Sequence, residues 1–338
     1  MNDGVDRLMF VRSGFFGSPE LVDVYWPGDQ QTDFGTDDGL PTVVPVALGA
    51  SLAGISSFGS DIAGYQDLNS PTSTKELFFR WTELGAFSPV MRTHHGSYPK
   101  DNWSFQSDDD TLAFYKRYAM LHMALAPYLR SLAQAAHDTG IAIIRPLAVE
   151  FPDDAASWPI ADEFMLGPSL LVAPVQSEGA TSRSVHLPPG TWFPWNGGPS
   201  QQGGDSSVDA PVGEIPVFAR AGAIVPMYPD GITSLVTEPN ADRVIDVFTG
   251  DNGSFAEYDG VSYALTSTGS ASGPATAKWN DADLAACAAT PAAPCVTSDA
   301  NSLHAYVTGA GTLDVNGIAS LVIANADAAA QEQIVVRY

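Results

Sequence analysis

Positive charge is scarce in this sequence. Only 15 lysines and arginines stand against 39 aspartates and glutamates in 338 residues, a net charge of −24. A surface of that sign repels polyanions, so no nucleic acid and no anionic membrane is expected as a partner. A neutral ligand is indifferent to it, and solubility alone accounts for the excess. Long apolar runs are missing too: none reaches the roughly 18 residues of a membrane span. The opening MNDGVDRLMF has neither the basic nor the apolar segment of a secretory leader and is expected to read straight into a folded domain. Cysteine is nearly absent. Cys287 and Cys295 bracket AATPAAP in an Ala/Pro/Ser/Thr-rich segment. No His or Cys lies near enough to complete a metal site, so none is expected. The pair is open to two readings, a local disulfide, which favours a periplasmic or extracellular protein, or two free thiols. The signatures G-x-x-x-x-G-K-[ST], G-x-G-x-x-G and G-x-S-x-G do not occur, and no cofactor is expected.

What is present is a globular composition, 45% hydrophobic and 10% aromatic, long enough for two or three domains. Leu8–Val11 reads as a buried strand ending at Arg12 and Ser13. Residues 14–39 read as a long Gly/Asp-rich loop, of the length that is usually functional. A helix is expected over Pro41–Leu52, then a strand over Gly54–Phe58 ending in GSDIAGY. Ser73 and Glu76 predict a capping box for a helix through Leu77, Trp81 and Leu84. Phe87–Met91 is a third expected strand, ending in Arg92-Thr93-His94-His95. Asp108–Asp110 favour the start of one long helix with Tyr118, Leu121, Leu125, Tyr128 and Leu132 inward and Gly140 as its stop. Ile141–Ile144 is the fourth expected strand. Strand, polar loop and helix recur about every 45 residues, the pattern of a (β/α) barrel whose site is built on the loops after its strands.

Beyond Phe164 the texture becomes β: short apolar runs separated by Gly/Pro turns. The expected division is a partial barrel over 1–155, a β-sandwich domain over 156–230, and a distal β domain over 231–338 with a low-complexity insertion near 266–300.

The residues that could carry chemistry fall at strand ends. Asp29 follows Tyr25-Trp26-Pro27-Gly28, a carboxylate beside an aromatic wall, with a turn-holding Asp as the alternative. Asp61 in GSDIAGY is a second loop carboxylate. Arg12 and Arg92 close strands, as ligand clamps or as structural ion pairs. His94 and His95 are adjacent, so one at most faces a pocket. Trp26, Phe58 and Tyr65 are candidate sugar-stacking platforms or core. Together, aromatics, carboxylates, Arg and His without a metal cluster or phosphate loop fit carbohydrate recognition.

The stretches RSGFFGS, WPGDQ, GSDIAGY, ELFFRWTELGAFSPVMRTHHG and EFMLGPSLLVAPV, with LPPGTW and IPVFARAGAIVP after them, resemble glycoside hydrolase family 31, the α-glucosidase and α-xylosidase family. The resemblance runs from about residue 8 to 228 and implies a TIM barrel followed by β domains. It implies a retaining α-glycosidase acting on terminal α-linked glucosides, with Asp29 as general acid/base. It implies Arg12, Trp26, Asp61, Tyr65 and His94 as substrate-binding residues, with Arg92 supporting His94. The family's nucleophilic Asp has no match before Asp29. Trp158–Glu163 has a similar texture but follows the barrel stretches. The chain is therefore expected to be the C-terminal half of such an enzyme, a partner to a missing N-terminal half and inactive alone. Sulfoquinovosidase or α-xylosidase activity is the alternative, although His95 stands where the sulfoquinovosidase branch usually has Glu. A non-catalytic carbohydrate-binding fragment is the other.

Overall fold

The computed structural model describes residues 8–67, 72–94, 96–98, 100–235, 242–267, 276–288, 294–298, 302–315 and 318–338. The chain begins with parallel pairing. In β1 (Phe10–Val11) and β2 (Val24–Tyr25), Phe10 lies opposite Val24 and Val11 opposite Tyr25. Tyr25 then bridges in parallel to Phe58, and the Val90 N–H donates to the Phe58 carbonyl at 3.1 Å. β3 (Asp61–Ile62) pairs in parallel with β4 (Arg92–Thr93). Parallel neighbours need crossovers. Here α1 (Val43–Leu52) and α2 (Lys75–Ala86) provide two of them. The result is an arc of parallel segments backed by helices, a partial barrel.

Several expectations change on this arc. β2 falls inside the segment expected to be loop, because a two-residue strand between Asp23 and Pro27 leaves no periodicity to read. Gly54–Phe58 is not a regular strand; only Phe58 forms a bridge, and pairing resumes at Asp61. Phe87–Val90 is turn, and β4 starts at Arg92. Gly59 shows why the ladder is interrupted: a Cβ there would sit 2.8 Å from the Val90 carbonyl oxygen, so the two backbones cross too closely for side chains.

The helices anchor the arc. The α2 cap is Thr74, whose side chain accepts from the Leu77 N–H at 3.2 Å. Ser73, expected in that role, accepts instead from the Trp103 N–H at 2.7 Å. The expected single helix after Asp108 is two, α3 (Asp109–Ala124) and α4 (Ala126–Thr139), broken where Pro127 removes a backbone donor. Asp108 caps α3 by accepting from Thr111 N–H at 2.7 Å. Gly140 ends α4 at φ 77°.

The fourth expected strand leaves the barrel. β5 (Ile144–Arg145) pairs antiparallel with β6 (Phe164–Leu166) in a six-stranded sheet. Its order is β5, β6, β7 (Leu170–Val172), β10 (Val217–Arg220), β8 (Ser182–Pro194), β9 (Gln201–Asp209). Side chains alternate along it. Phe164, Leu166, Leu170 and Val172 share the main core with Trp81, Tyr128 and Leu132, and Met165, Leu171 and Ala173 join Leu147, Trp192 and Phe218 on the other face. Helices cover the first of these faces, and Val185 and Leu187 of β8 pack against Met165 and Leu171 on the second. Arg80, buried on α2, ties the two parts together: its guanidinium donates to the carbonyls of Ala180 at 2.7 Å and Ala210 at 2.9 Å. Glu83 beside it accepts the Gly213 N–H at 2.7 Å.

The distal part is a true sandwich. Its five-stranded sheet opens with Ile224–Met227 and Arg243–Phe248, so this pairing begins ahead of residue 230. Ile245, Val247, Leu303 and Ile334 of this sheet pack on Tyr263, Leu265, Leu313 and Leu321 of the facing six-stranded one. Within the segment expected to be an insertion, Ala277–Trp279, Ala282–Asp283 and Cys295–Ser298 are strands. Residues 268–275, 289–293 and 299–301 lie outside the described residues. Cys287 and Cys295 form a disulfide, with Cα atoms 5.0 Å apart. No described helix is long and apolar enough to cross a membrane.

Candidate active site

Tyr25 at the end of β2 and Trp26 directly after it point in opposite directions, as alternation along an extended chain requires. Tyr25 turns to Phe58, ring centres 6.0 Å apart. Phe58 is 2% exposed, so it is core and not a stacking platform. Trp26 turns to the other side, where its ring lies 6.2 Å from Phe10. Two guanidinium groups flank the indole, Arg12 at 5.6 Å and Arg92 at 5.4 Å. Arg12 is exposed and forms no ion pair among the described residues. Gly28 makes room for it: at φ 102° it needs glycine's freedom, and a Cβ would meet Arg12 Nη2 at 3.2 Å. Asp29 follows directly and is half-buried.

Asp61 is the buried centre of the arrangement, fully removed from solvent. Its Oδ2 accepts the Trp26 indole N–H at 3.0 Å, and its Oδ1 pairs with Arg92 Nε at 2.7 Å. Burial raises its pKa, and the Asp29 charge adds to that rise. Arg92, His94 and the Trp26 N–H oppose it. The position is fixed from behind, where Trp81 Nε1 donates to Ser60 Oγ at 2.9 Å. Arg92 thus carries Asp61. His94 packs edge-on to Tyr65 at 4.7 Å. Its Nδ1 accepts the Gly96 N–H at 3.4 Å. His95 lies outside the described residues.

The turn after β3 brings a residue that the sequence did not mark. Ala63 and Gly64 both adopt left-handed backbone, φ 69° and 77°, a conformation that stores strain in alanine. The turn returns the chain to the loop carrying Asp29. The N–H groups of Tyr65 and Gln66 donate to the Gln30 carbonyl at 2.8 and 2.9 Å, and the Thr32 N–H donates to the Gln66 carbonyl at 3.0 Å. Gln66 Nε2 reaches Asp29 Oδ2 at 3.4 Å. Gln30 is buried, its amide donating to Thr42 Oγ1 at 3.0 Å. Asp38 has its pKa raised by burial and by the neighbouring charges of Asp33 and Asp29.

Arg12, Trp26 and Asp29, which follow β1 and β2, thus meet Asp61 and Arg92, which open β3 and β4, with Tyr65 and His94 beside them. The arrangement offers an indole face, hydrogen-bonding groups of both signs and a half-buried carboxyl, which suits a polyhydroxylated ring and proton transfer at its rim. Trp158–Glu163 stands apart. Trp158 is exposed, and Glu163 accepts from Arg183 Nη2 at 2.9 Å and from the His186 N–H at 3.0 Å. Among the described residues, no group of three His, Cys, Asp or Glu is placed to hold a metal ion.

Comparison with known proteins adds independent findings. Residues 2–132 match the Glycosyl hydrolases family 31 TIM-barrel domain, and residues 140–225 match the Glycosyl hydrolase family 31 C-terminal domain. A sulfoquinovosidase of Escherichia coli (strain K12) is 39% identical over 214 residues, 63% of this chain and 32% of that protein. A probable glucan 1,3-alpha-glucosidase of Oryza sativa subsp. japonica is 34% identical over 247 residues, 70% of this chain and 26% of that protein. The structure of a cycloalternan-forming enzyme from Listeria monocytogenes, in complex with a pentasaccharide substrate, aligns with a TM-score of 0.75 at 26% identity. It covers 96% of this chain and 33% of that one. The chain spans about a third of the length of the first curated relatives it matches.

Proposed function

This chain belongs to glycosyl hydrolase family 31, and we propose that it supplies the acid/base half of a retaining α-glycosidase site for terminal α-linked glucosides. One observation carries the reading: Asp61 is locked between Trp26 and Arg92 while Asp29 stands beside it, half-buried, in a loop held by Gln30 and Gln66. In this mechanism Asp29 donates its proton to the glycosidic oxygen as the bond to the anomeric carbon breaks. It then takes a proton from the water that attacks the same carbon. Arg12, Trp26, Asp61, Tyr65, Arg92 and His94 hold the sugar.

A retaining reaction needs a second carboxyl about 5–5.5 Å from the first. Asp61 does not serve, since one oxygen is bound to Trp26 and the other to Arg92. We assign the nucleophile to sequence outside these residues, with the arc as the C-terminal half of a (β/α)8 barrel joined to its earlier strands. The exposed Leu8, Met9, Phe15 and Phe16 beside β1 support that junction. The Cys287–Cys295 disulfide supports a periplasmic or extracellular setting.

The second substrate reading is a sulfonated glucoside. The 39% identity to a sulfoquinovosidase and the unpaired Arg12 favour it, whereas the net charge of −24 favours a neutral sugar. The test is hydrolysis of para-nitrophenyl α-glucoside and of the matching α-sulfoquinovoside. This chain alone is expected to be inert. Joined to the preceding strands, it is expected to cleave the glucoside faster and to lose activity on Asp29→Asn. Turnover by the isolated chain overturns the split site, and preference for the sulfonated sugar overturns the substrate assignment.

A further inference from the structure

Two cavities lie apart from Asp29. One, of 690 Å³, is walled by Phe87, Tyr118, Gly213 and Glu214. Phe87 precedes β4 by five residues, whereas His94 follows it directly, so this cavity lies on the side of the arc away from His94. A second, of 740 Å³, is walled by Tyr228, Asp246 and Arg337 of the distal part. Arg117, Leu121 and Trp195 line both, so the two form one groove along α3. Each volume lies within the roughly 300–1,000 Å³ of small-molecule sites.

The groove has a fixed aromatic wall. The Trp195 N–H donates to the Val217 carbonyl at 2.8 Å, and its half-buried ring lies 6.3 Å from Phe248. Polar groups surround it in opposed signs. Arg117 is held by the Gly213 carbonyl at 2.7 Å, with Glu214 next in sequence. Arg337 Nη2 pairs with Asp246 Oδ2 at 3.1 Å. The Nε of Arg337 is buried and has no hydrogen-bond partner among the described residues.

We propose that this groove is a second carbohydrate site, binding a neutral oligosaccharide remote from Asp29. A flat indole bordered by guanidinium and carboxylate groups and by the amides of Asn196 and Gln333 matches the apolar face and hydroxyl rim of a pyranose. The mixed signs and the overall negative charge select against an anion. Two cavities sharing one wall suit several linked sugars in place of one. The carbohydrate class draws on family membership, but the site stands whether or not Asp29 is an acid.

The test uses this chain itself, titrated with maltotriose and isomaltotriose and followed by calorimetry and by the indole N–H signals in NMR. Saturable binding is expected, with a dissociation constant on the order of 1 mM. Trp195→Ala is expected to weaken it about tenfold or more, with Trp195→Phe intermediate and the circular dichroism unchanged. Trp26→Ala and Asp29→Asn leave it intact. Absence of saturable binding overturns the proposal. So does binding that survives Trp195→Ala and vanishes with Trp26→Ala, which assigns it to the strand ends. So does a Trp195-dependent dimer that binds no sugar, which makes the groove an interface between copies.

Discussion

The indole N–H of Trp26 donates to Asp61 Oδ2 at 3.0 Å, joining two strand ends that lie 35 residues apart in the sequence. Trp26→Phe keeps the ring and deletes the donor. A hydrogen bond to a charged group contributes about 1.5–3 kcal/mol, so urea unfolding is expected to show a loss of that order. Asp61→Ala is expected to cost more, because it also frees Arg92 from its partner. Equal stability of wild type and Trp26→Phe contradicts the tether.

Stability is expected to fall as pH rises from about 5.5 to about 8.5. Burial raises Glu83 and Glu163 to about 7 and Glu332 to about 8, against the opposing charges of Arg80, Arg183 and Arg243. The folded chain therefore keeps protons that unfolded glutamates have released above their ordinary value of 4.5, and rising pH favours unfolding. His186 acts in the same direction. Burial lowers its pKa, but hydrogen bonds to Asp154 and Asp205 outweigh burial and raise it. Stability from that pairing is present below the unfolded histidine value and is lost as pH rises through the folded one. Glu332→Gln is expected to raise the melting temperature at about pH 8.5 and flatten the profile. A melting temperature that climbs with pH refutes this.

The disulfide closes a short loop, with a sequence separation of 8. On chain-entropy grounds such a crosslink contributes about 2–3 kcal/mol. Cys287→Ser with Cys295→Ser, and wild type in reductant, are expected to lose that much in urea titrations. No difference between oxidised and reduced protein counts against it.

The flank of β1 leaves Leu8, Phe15, Phe16 and Leu21 between 68% and 74% exposed. Apolar surface of that kind associates. The isolated chain is expected to self-associate in light scattering, and Phe15→Ser with Phe16→Ser to reduce it. A monodisperse monomer at high concentration argues that the flank needs no neighbour.

Much of the site was legible because its residues end apolar runs. Arg12 after Phe10-Val11 and Asp61 after Phe58 read directly, and the resemblance tied them together. What was not legible depends on pairing over distance. β2 has two residues and no period. Ile144–Arg145 looks like any short apolar strand until its partner, Phe164–Leu166, places it in an antiparallel sheet. Gln66 looks like an ordinary loop residue; only the left-handed turn at Ala63 and Gly64 carries it back to Asp29. Nothing in the sequence marks Arg80 and Glu83 on α2 as buried; they are, because the Ala180 and Ala210 carbonyls accept from Arg80 and the Gly213 N–H donates to Glu83.

The proposed role of Asp29 is acid/base of a retaining site whose nucleophile lies elsewhere. The most direct measurement is azide rescue of Asp29→Ala, in the polypeptide that joins this chain to the preceding barrel strands, with an activated aryl α-glucoside. The aryl group leaves without an acid, and azide needs no base to displace the enzyme carboxylate from the anomeric carbon. The account predicts restored turnover and α-glucosyl azide, identified by its anomeric proton coupling in NMR. β-Glucosyl azide would make Asp29 the nucleophile, and wild-type hydrolysis by Asp29→Ala without azide would remove it from the chemistry; either result contradicts the account.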